Sequence, residues 1–430
     1  MTSLLTLSPI AKIGGQIDLP GSKSLTNRAL LLAAVAHGKT TLSNILFSDD
    51  TDRMIQALKA LGTVLTIDAQ NHSCEVIGRA GPFDAQATDL HLDLGNAGTA
   101  LRPLVAMLSL SEGRFVIDGD EYMRVRPIKH LTDALSNLGV PIEFLGQPGY
   151  PPLQIKGGYP QGGAIELNGD LSSQYLTALL MALPLAPNDS TINIVGELVS
   201  KPYVDMTLAI MAKFGVKAAH TRYHRFDVPG AQTYQSPGHL MVEGDASTAS
   251  YFLAAAAIQG EITVTGVGSD SLQGDIAFAD VLSAMGAAVT IKADRVSVRS
   301  TGVLNAINAD LNHIPDAAMT VAILALFAKG TTTIRNVYNW RIKETDRMTA
   351  MANELRKVGA AVSTTDDSIT ITPPDELLPA SISTYGDHRM AMCFSLLALA
   401  PKGITICDPE VTKKTFPDYF NIFNAVTTRI

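Results

Sequence analysis

SKSLTNRALLLAAVAHG, from Ser22 to Gly38, is the stretch whose reading decides the fold. After a polar opening, its residues are apolar on nearly every side, and a helix of that kind must be buried all round. The same design returns five times: NAGTALRPLVAMLSL from Asn96, LSSQYLTALLMALPLA from Leu171, GDASTASYFLAAAAIQG from Gly244, IPDAAMTVAILALFAKG from Ile314 and GDHRMAMCFSLLALA from Gly386. Each is a polar loop followed by a helix with no solvent face, and self-similarity at a fixed period marks repeated architecture.

Working outward, each unit continues into a strand: TTLSNIL, RFVIDG, TINIVG, EITVTG, TTTIRNV and GITICD. Another polar loop and a second, amphipathic helix follow. In five units that helix stops at a glycine suited to the left-handed C-cap: Gly62, Gly139, Gly215, Gly286 and Gly359. These glycines lie roughly 75 residues apart, beyond the usual ~20 to 50 of solenoid repeats, so each unit is a small subdomain. The all-apolar helices belong inside, with sheets and second helices around them. A chain of 430 residues exceeds what a single core holds, and three units per domain is the economical grouping. Gln232 to Glu243 has Pro and Gly but no helical period and is the candidate crossover. Residues 1 to 21 precede the first unit and are expected to pair back across it.

Composition narrows the function. The net charge of −8 provides no basic field for nucleic acid or anionic lipid, so an anion must be bound locally. The apolar windows Ala29–Ala36 and Phe252–Ile258 are too short to span a bilayer, and the N-terminus lacks the basic-then-apolar pattern of a signal peptide. Three cysteines, Cys74, Cys393 and Cys407, have neither disulfide-framework nor zinc spacing, which fits a reducing cytoplasm.

Against that acidic background, the helix-start loops collect cations: Lys23, Arg28, Arg102, Arg126, Lys201, Lys343, Arg347, Arg389 and Lys414. Helix N-termini present unpaired N–H groups and a positive dipole end, so basic and small residues there make anion sites. Taken singly, each has a plainer reading: a solvated charge, an N-capping serine at Ser172 or Ser173, an ion-paired helix face at Lys343, Glu344 and Arg347, a structural His388. LPGSKS is not a Walker loop, since its Gly and Lys are not adjacent. Asp316 opens a wholly apolar helix, where its charge has only the loop side to face.

The segments LPGSKSLTNRALLLAA, LGNAGTALRPL, RVRPI, SSQYLTALLM, SKPYVD, GDASTAS, NHIPDAAMT, NWRIKETDRM, GDHRMAM and KTFPDYF, in this order over essentially the whole chain, resemble the 5-enolpyruvylshikimate-3-phosphate synthases. The resemblance implies an α/β protein, an inside-out α/β prism of two domains, each with three βαβαββ units and buried helices. The domains would be residues 22 to 241, mainly the shikimate 3-phosphate side, and residues 1 to 21 with 242 to 430, mainly the phosphoenolpyruvate side, with the active site in the cleft between them.

By the same resemblance, shikimate 3-phosphate is held by Lys23, Ser24, Arg28, Ser172, Ser173, Gln174, Ser200, Tyr203, Asp316, Asn339 and Lys343. Phosphoenolpyruvate meets Lys23, Asn96, Gly98, Arg126, Gln174, Glu344, Arg347, Arg389 and Lys414. The implied catalytic groups are Asp316 as base toward the 5-hydroxyl, Lys23 beside it, and Glu344 as acid toward the methylene carbon. Which of them moves which proton stays open. Gly98 would let the backbone approach the ligand, and glyphosate would occupy the phosphoenolpyruvate site. The resemblance further implies no metal or organic cofactor, two small-molecule substrates, no nucleic acid or membrane partner, a monomer, and a cytoplasmic setting.

Two alternatives come from other readings. UDP-N-acetylglucosamine enolpyruvyl transferase shares the fold and the phosphoenolpyruvate chemistry but carries a reactive cysteine before an Arg-Pro pair; here that loop is GDEYMRVRP, without cysteine. Cys393 and Cys407 are expected to be buried and inert. A catalytically silent repeat scaffold is the more distant alternative, against which stand the repeated basic loops.

Overall fold

The structure is a computed structural model that describes residues 3–84 and 89–429. It has two compact units: the first is Gly21–Val242, and the second is Met1–Pro20 with Glu243–Ile430.

In the first unit the all-apolar stretches are α1 (Lys23–Val35), α3 (Gly98–Ser109) and α5 (Ser173–Ala182); between them lie α2 (Asp49–Ala60) and α4 (Lys129–Asn137), and α6 (Lys201–Lys213) closes the series. In α1 every residue except Ser24 is buried, while α2 buries one face, as the difference between a uniform and an amphipathic pattern requires. Three four-stranded sheets surround these helices, all built alike. Leu90–Asp93 pairs in parallel with Arg114–Asp118, which pairs antiparallel with Leu153–Lys156, which pairs antiparallel with Ile142–Phe144. Gly163–Asn168 opens the next sheet in the same way. A parallel pair needs a crossover between its strands, and in these two sheets the buried helices α3 and α5 are that crossover.

The second unit repeats the plan with α7 (Ala246–Ile258), α8 (Phe278–Ala284), α9 (Ala318–Leu324), α10 (Arg347–Lys357), α11 (His388–Ser395) and α12 (Tyr419–Ala425). The buried helices α7, α9 and α11 meet through small polar side chains in a dry core: Ser250 and Thr320 share a hydrogen bond of 2.8 Å, and Thr320 lies 3.7 Å from the Cys393 sulfur. Their apolar surroundings, including Phe252, Leu253, Ile323 and Met392, form one cluster, so truncating one such side chain to Ala would cost about 2–5 kcal/mol.

The N-terminal segment departs from one expectation, that residues 1 to 21 pair back across the first unit. Ile10–Asp18 does not pair with the first repeat; it runs parallel to Gly260–Thr265 in the second unit, and Leu4–Leu7 pairs antiparallel with Ile404–Cys407. The strand parallel to Lys39–Ser43 is instead His239–Met241, from the crossover segment. The register explains the preference. Ile13 and Ile17 bury in the second unit's core, and they can do so only on the strand that lies over α7. The five helix-ending glycines all have positive φ, between +79° and +103°, as the left-handed cap requires.

Candidate functional site

In the first unit the sequence-predicted residues gather at the starts of the buried helices. α1 begins at Lys23 without a side-chain cap, and its first turn presents the positive end of the helix dipole. Lys23 Nζ lies 3.3 Å from an Asp50 carboxylate oxygen, both buried. Arg28, one turn on, donates through Nε to Thr207 Oγ1 (2.8 Å) and through Nη1 to the Ser24 carbonyl (3.0 Å). Burial lowers its pKa to about 10, against a small opposing effect of Tyr203. Thr207 in turn donates to the Tyr203 carbonyl, so Arg28, Ser24 and Tyr203 are linked by bonds between α1 and α6.

At α3, Arg126 Nη1 donates to the Asn96 carbonyl (3.1 Å) and side-chain oxygen (2.7 Å). Arg102 donates to the Pro127 carbonyl at 3.0 Å and lies over the Tyr175 ring, whose hydroxyl donates to the same carbonyl. A Cβ on Gly98 would come 2.6 Å from Arg102 Nη1 and 2.8 Å from Arg126 Nη2. Gly98 is therefore small because two guanidinium groups already occupy the space beside it, a reason the sequence did not show. Ser172 caps α5 by accepting from the Gln174 N–H at 3.2 Å, the plainer of its two sequence readings. Ser200 stands before α6 in the left-handed region (φ 54°), a strained place for a serine, and such strain concentrates at functional loops. Lys201, one of the loop cations, is instead committed to an exposed pair with Glu197.

The second unit gathers a denser cluster. Asp316 accepts from Arg347 Nη1 at 2.8 Å and from Arg389 Nη2 at 3.0 Å, with Lys343 Nζ 3.9 Å away. Burial alone would raise its pKa, but Arg389, Lys343 and Arg347 outweigh that and hold the carboxyl well below the usual carboxylate range. Arg347 also donates to Glu344 (2.8 Å) and to both oxygens of Asp387 (2.6 and 3.3 Å). With three carboxylates around it, and despite burial, its pKa is raised above the ordinary value. Asp387 caps α11 through the Arg389 N–H as well, so one carboxylate holds both arginines of this cluster. Asn339 is buried in the turn Tyr338–Ile342, whose Trp340 donates its indole N–H to the Pro315 carbonyl at 2.7 Å and so anchors the residue before Asp316. Lys414 is buried at the end of the turn Pro409–Lys414.

Sequence reasoning missed Asp50, Thr207, Tyr251 and Asp387 as partners of the site cations. Each sits in another repeat or another helix of its unit, and no local signal marks it except the Asp of GDHR at a helix start. The cysteines divide. Cys74 and Cys393 are buried, which pushes their thiols up to about 11 and about 12, far from thiolates at neutral pH. Cys407, expected to be buried, is only partly so, because it lies on a strand one residue past the fully covered Ile406.

Six βαβαββ-type repeats around all-apolar helices, opening on loops rich in cations and carboxylates, are the architecture of the enolpyruvyl transferase fold. The structure is similar to EPSP synthase from Acinetobacter baumannii, with a TM-score of 0.83 at 24% identity over 100% of this chain and 99% of that one. It is also similar to the enolpyruvyl transferase NikO from Streptomyces tendae, with a TM-score of 0.77 at 18% identity over 98% and 97% of the two chains. The chain belongs to the EPSP synthase (3-phosphoshikimate 1-carboxyvinyltransferase) family, whose model matches residues 7–423. Proteins named 3-phosphoshikimate 1-carboxyvinyltransferase from Escherichia coli (59% identical over 417 residues) and Aliivibrio fischeri (60% over 418) cover 97% of this chain, and 97% and 98% of their own length is matched.

Proposed function

We propose that this protein transfers the enolpyruvyl group of phosphoenolpyruvate to the 5-hydroxyl of shikimate 3-phosphate and releases phosphate. The observation that carries this reading is family membership along the full chain at about 60% identity. The buried clusters around Arg28, Arg126 and Asp316 support it, since two substrates bearing a phosphate and a carboxylate each need buried cations.

In the addition step the 5-oxygen bonds to C2 while C3 gains a proton; in the elimination C3 returns that proton as the C2–phosphate bond breaks. Asp316 takes the hydroxyl proton, with Lys23 beside the reacting groups, and Glu344 serves C3. Lys23, Ser24, Arg28, Ser172, Ser173, Gln174, Ser200, Tyr203, Asp316, Asn339 and Lys343 hold shikimate 3-phosphate. Asn96, Gly98, Arg126, Arg347, Arg389 and Lys414, with Lys23, Gln174 and Glu344, hold phosphoenolpyruvate. Ringed by Arg389, Arg347 and Lys343, Asp316 is a weak base. When substrate anions draw those cations to themselves, the stabilisation of the Asp316 carboxylate falls and its proton affinity rises toward that of a working base. The cations left on the substrates then stabilise charge as it develops in the transition state. The enzyme acts as a cytoplasmic monomer without metal or organic cofactor, and neither nucleic acid nor membrane is a partner. Among the described residues no helix is long and apolar enough to cross a membrane.

Phosphate release measured with phosphoenolpyruvate and either shikimate 3-phosphate or UDP-N-acetylglucosamine tests the reading. Release only with shikimate 3-phosphate is expected; release only with the nucleotide sugar would replace the reading, and release with neither would leave a silent scaffold.

A further inference from the structure

Arg389 is gripped at both ends of its guanidinium, and the two grips differ in kind. Nη2 donates to the Asp316 carboxylate and Nη1 to the Tyr251 hydroxyl, each at 3.0 Å. The first partner is the one a substrate anion competes with. The second is neutral: burial pushes the Tyr251 hydroxyl well above its ordinary pKa, so it carries no charge for an anion to displace or repel.

Tyr251 is also held rigidly relative to the helix that carries Arg389. It lies on α7 with no solvent exposure, and its ring meets the Tyr419 ring edge-on at 5.8 Å and 80°. The Tyr419 hydroxyl shares a hydrogen bond with Ser395 Oγ (2.7 Å) and donates to the Met392 carbonyl (3.2 Å), and both residues lie on α11. A hydroxyl clamped to α11 by this stack gives the guanidinium a fixed pivot whether or not Asp316 is engaged.

We propose that Tyr251 is a positioning residue for phosphoenolpyruvate binding: its hydroxyl fixes Arg389 Nη1, so the guanidinium can release Asp316 and accept a substrate anion without reorienting. The inference rests on the functional reading above and assigns Tyr251 no contact with substrate. Tyr251→Phe keeps the ring stack and removes only the pivot.

Steady-state phosphate release by wild type, Tyr251→Phe and Phe252→Leu tests it. Phe252 is the control, since its ring packs on Tyr419 and Phe423 from the same helix. Tyr251→Phe should raise KM for phosphoenolpyruvate about 10-fold, the scale of one hydrogen bond to a charged group, with KM for shikimate 3-phosphate and Tm nearly unchanged. Phe252→Leu should lower Tm and leave both KM values in place. An unchanged KM for phosphoenolpyruvate in Tyr251→Phe, or a parallel rise of both KM values with a fall in Tm, overturns the inference while wild-type turnover keeps the functional reading. A wild type that releases no phosphate overturns the reading itself, and the inference with it.

Discussion

The two units use one repeat plan but neutralise their site charges differently. In the first, Arg28, Arg102 and Arg126 donate to a hydroxyl, carbonyls and an amide, and the ion pair of that cluster is Lys23 with Asp50. In the second, Asp316, Glu344 and Asp387 all converge on Arg347, and Asp316 engages Arg389 as well. A cation held by neutral partners keeps its charge for an incoming anion; one held by carboxylates must exchange one anion for another. In the reaction proposed above, the first unit would serve immediate capture, and the second an exchange that alters the basicity of Asp316.

The sharpest test of this contrast is to make one substitution in both units. Arg347→Met removes the guanidinium that Asp316, Glu344 and Asp387 share and should lower the unfolding free energy by about 3–5 kcal/mol as well as abolish turnover. Arg126→Met removes a donor only from neutral oxygens, the Asn96 carbonyl and side chain, and should cost about 1 kcal/mol while also crippling turnover. Equal losses of stability in urea melts would erase the distinction between the units.

Lys23 is the exception in the first unit, because its partner is a buried carboxylate. Lys23→Met should cut turnover by at least about 10³-fold and destabilise the fold by a few kcal/mol, roughly the cost of a stranded buried charge. Adding Asp50→Asn should restore most of the stability and none of the turnover. A double variant that recovers activity would remove Lys23 from the chemistry.

A smaller effect concerns Asp275, buried beside the second cluster and bonded to Ser247 at 2.5 Å. Burial first, then the charge of Asp316 and to a lesser degree Asp245, raise its pKa to about 6, with the Ser247 bond and Arg389 pulling the other way. Because the folded state binds this proton more tightly than the unfolded chain, the favourable contribution is full below pH ~4 and lost as pH rises through about 6. Asp275→Asn should therefore gain up to about 3 kcal/mol over wild type well above pH 6, fading to nothing near pH 4. A stability difference that grows on acidification would contradict the sign.

Gly98→Ala should have the mildest consequence, since its methyl meets the ends of the Arg102 and Arg126 side chains rather than backbone. Stability should hold, KM for phosphoenolpyruvate should rise about 3–10-fold, and inhibition by glyphosate should weaken further than that. Unaltered kinetics and inhibition would separate Gly98 from the site.

The buried helices and their glycine stops were legible in the sequence because each is specified locally, by apolar residues on every face and by a left-handed cap. The loop cations were legible for the same reason, since they stand beside the helix starts they serve. Pairing was not. Whether Ile10–Asp18 or His239–Met241 completes a given parallel pair depends on which core accepts Ile13 and Ile17, and a strand pattern does not name its partner. Nor could sequence show that Asp50 answers Lys23 or that Asp387 ties Arg347 to α11, for those contacts arise only when separate helices meet. That Ser172 rather than Ser173 is the cap, and the reason for Gly98, likewise needed coordinates.

The displaced strand also sets a timetable for synthesis. Ile10–Asp18 leaves the ribosome well before its partner Gly260–Thr265, which follows roughly 250 residues later, a wait of about 12 to 50 s at ~5–20 residues per second. The first unit's last strand, His239–Met241, emerges before then, so that unit can close its sheets while the leading strand is still waiting. During that interval the nascent chain carries an unpaired β-segment, and a chaperone that shields strand edges would find its natural client there.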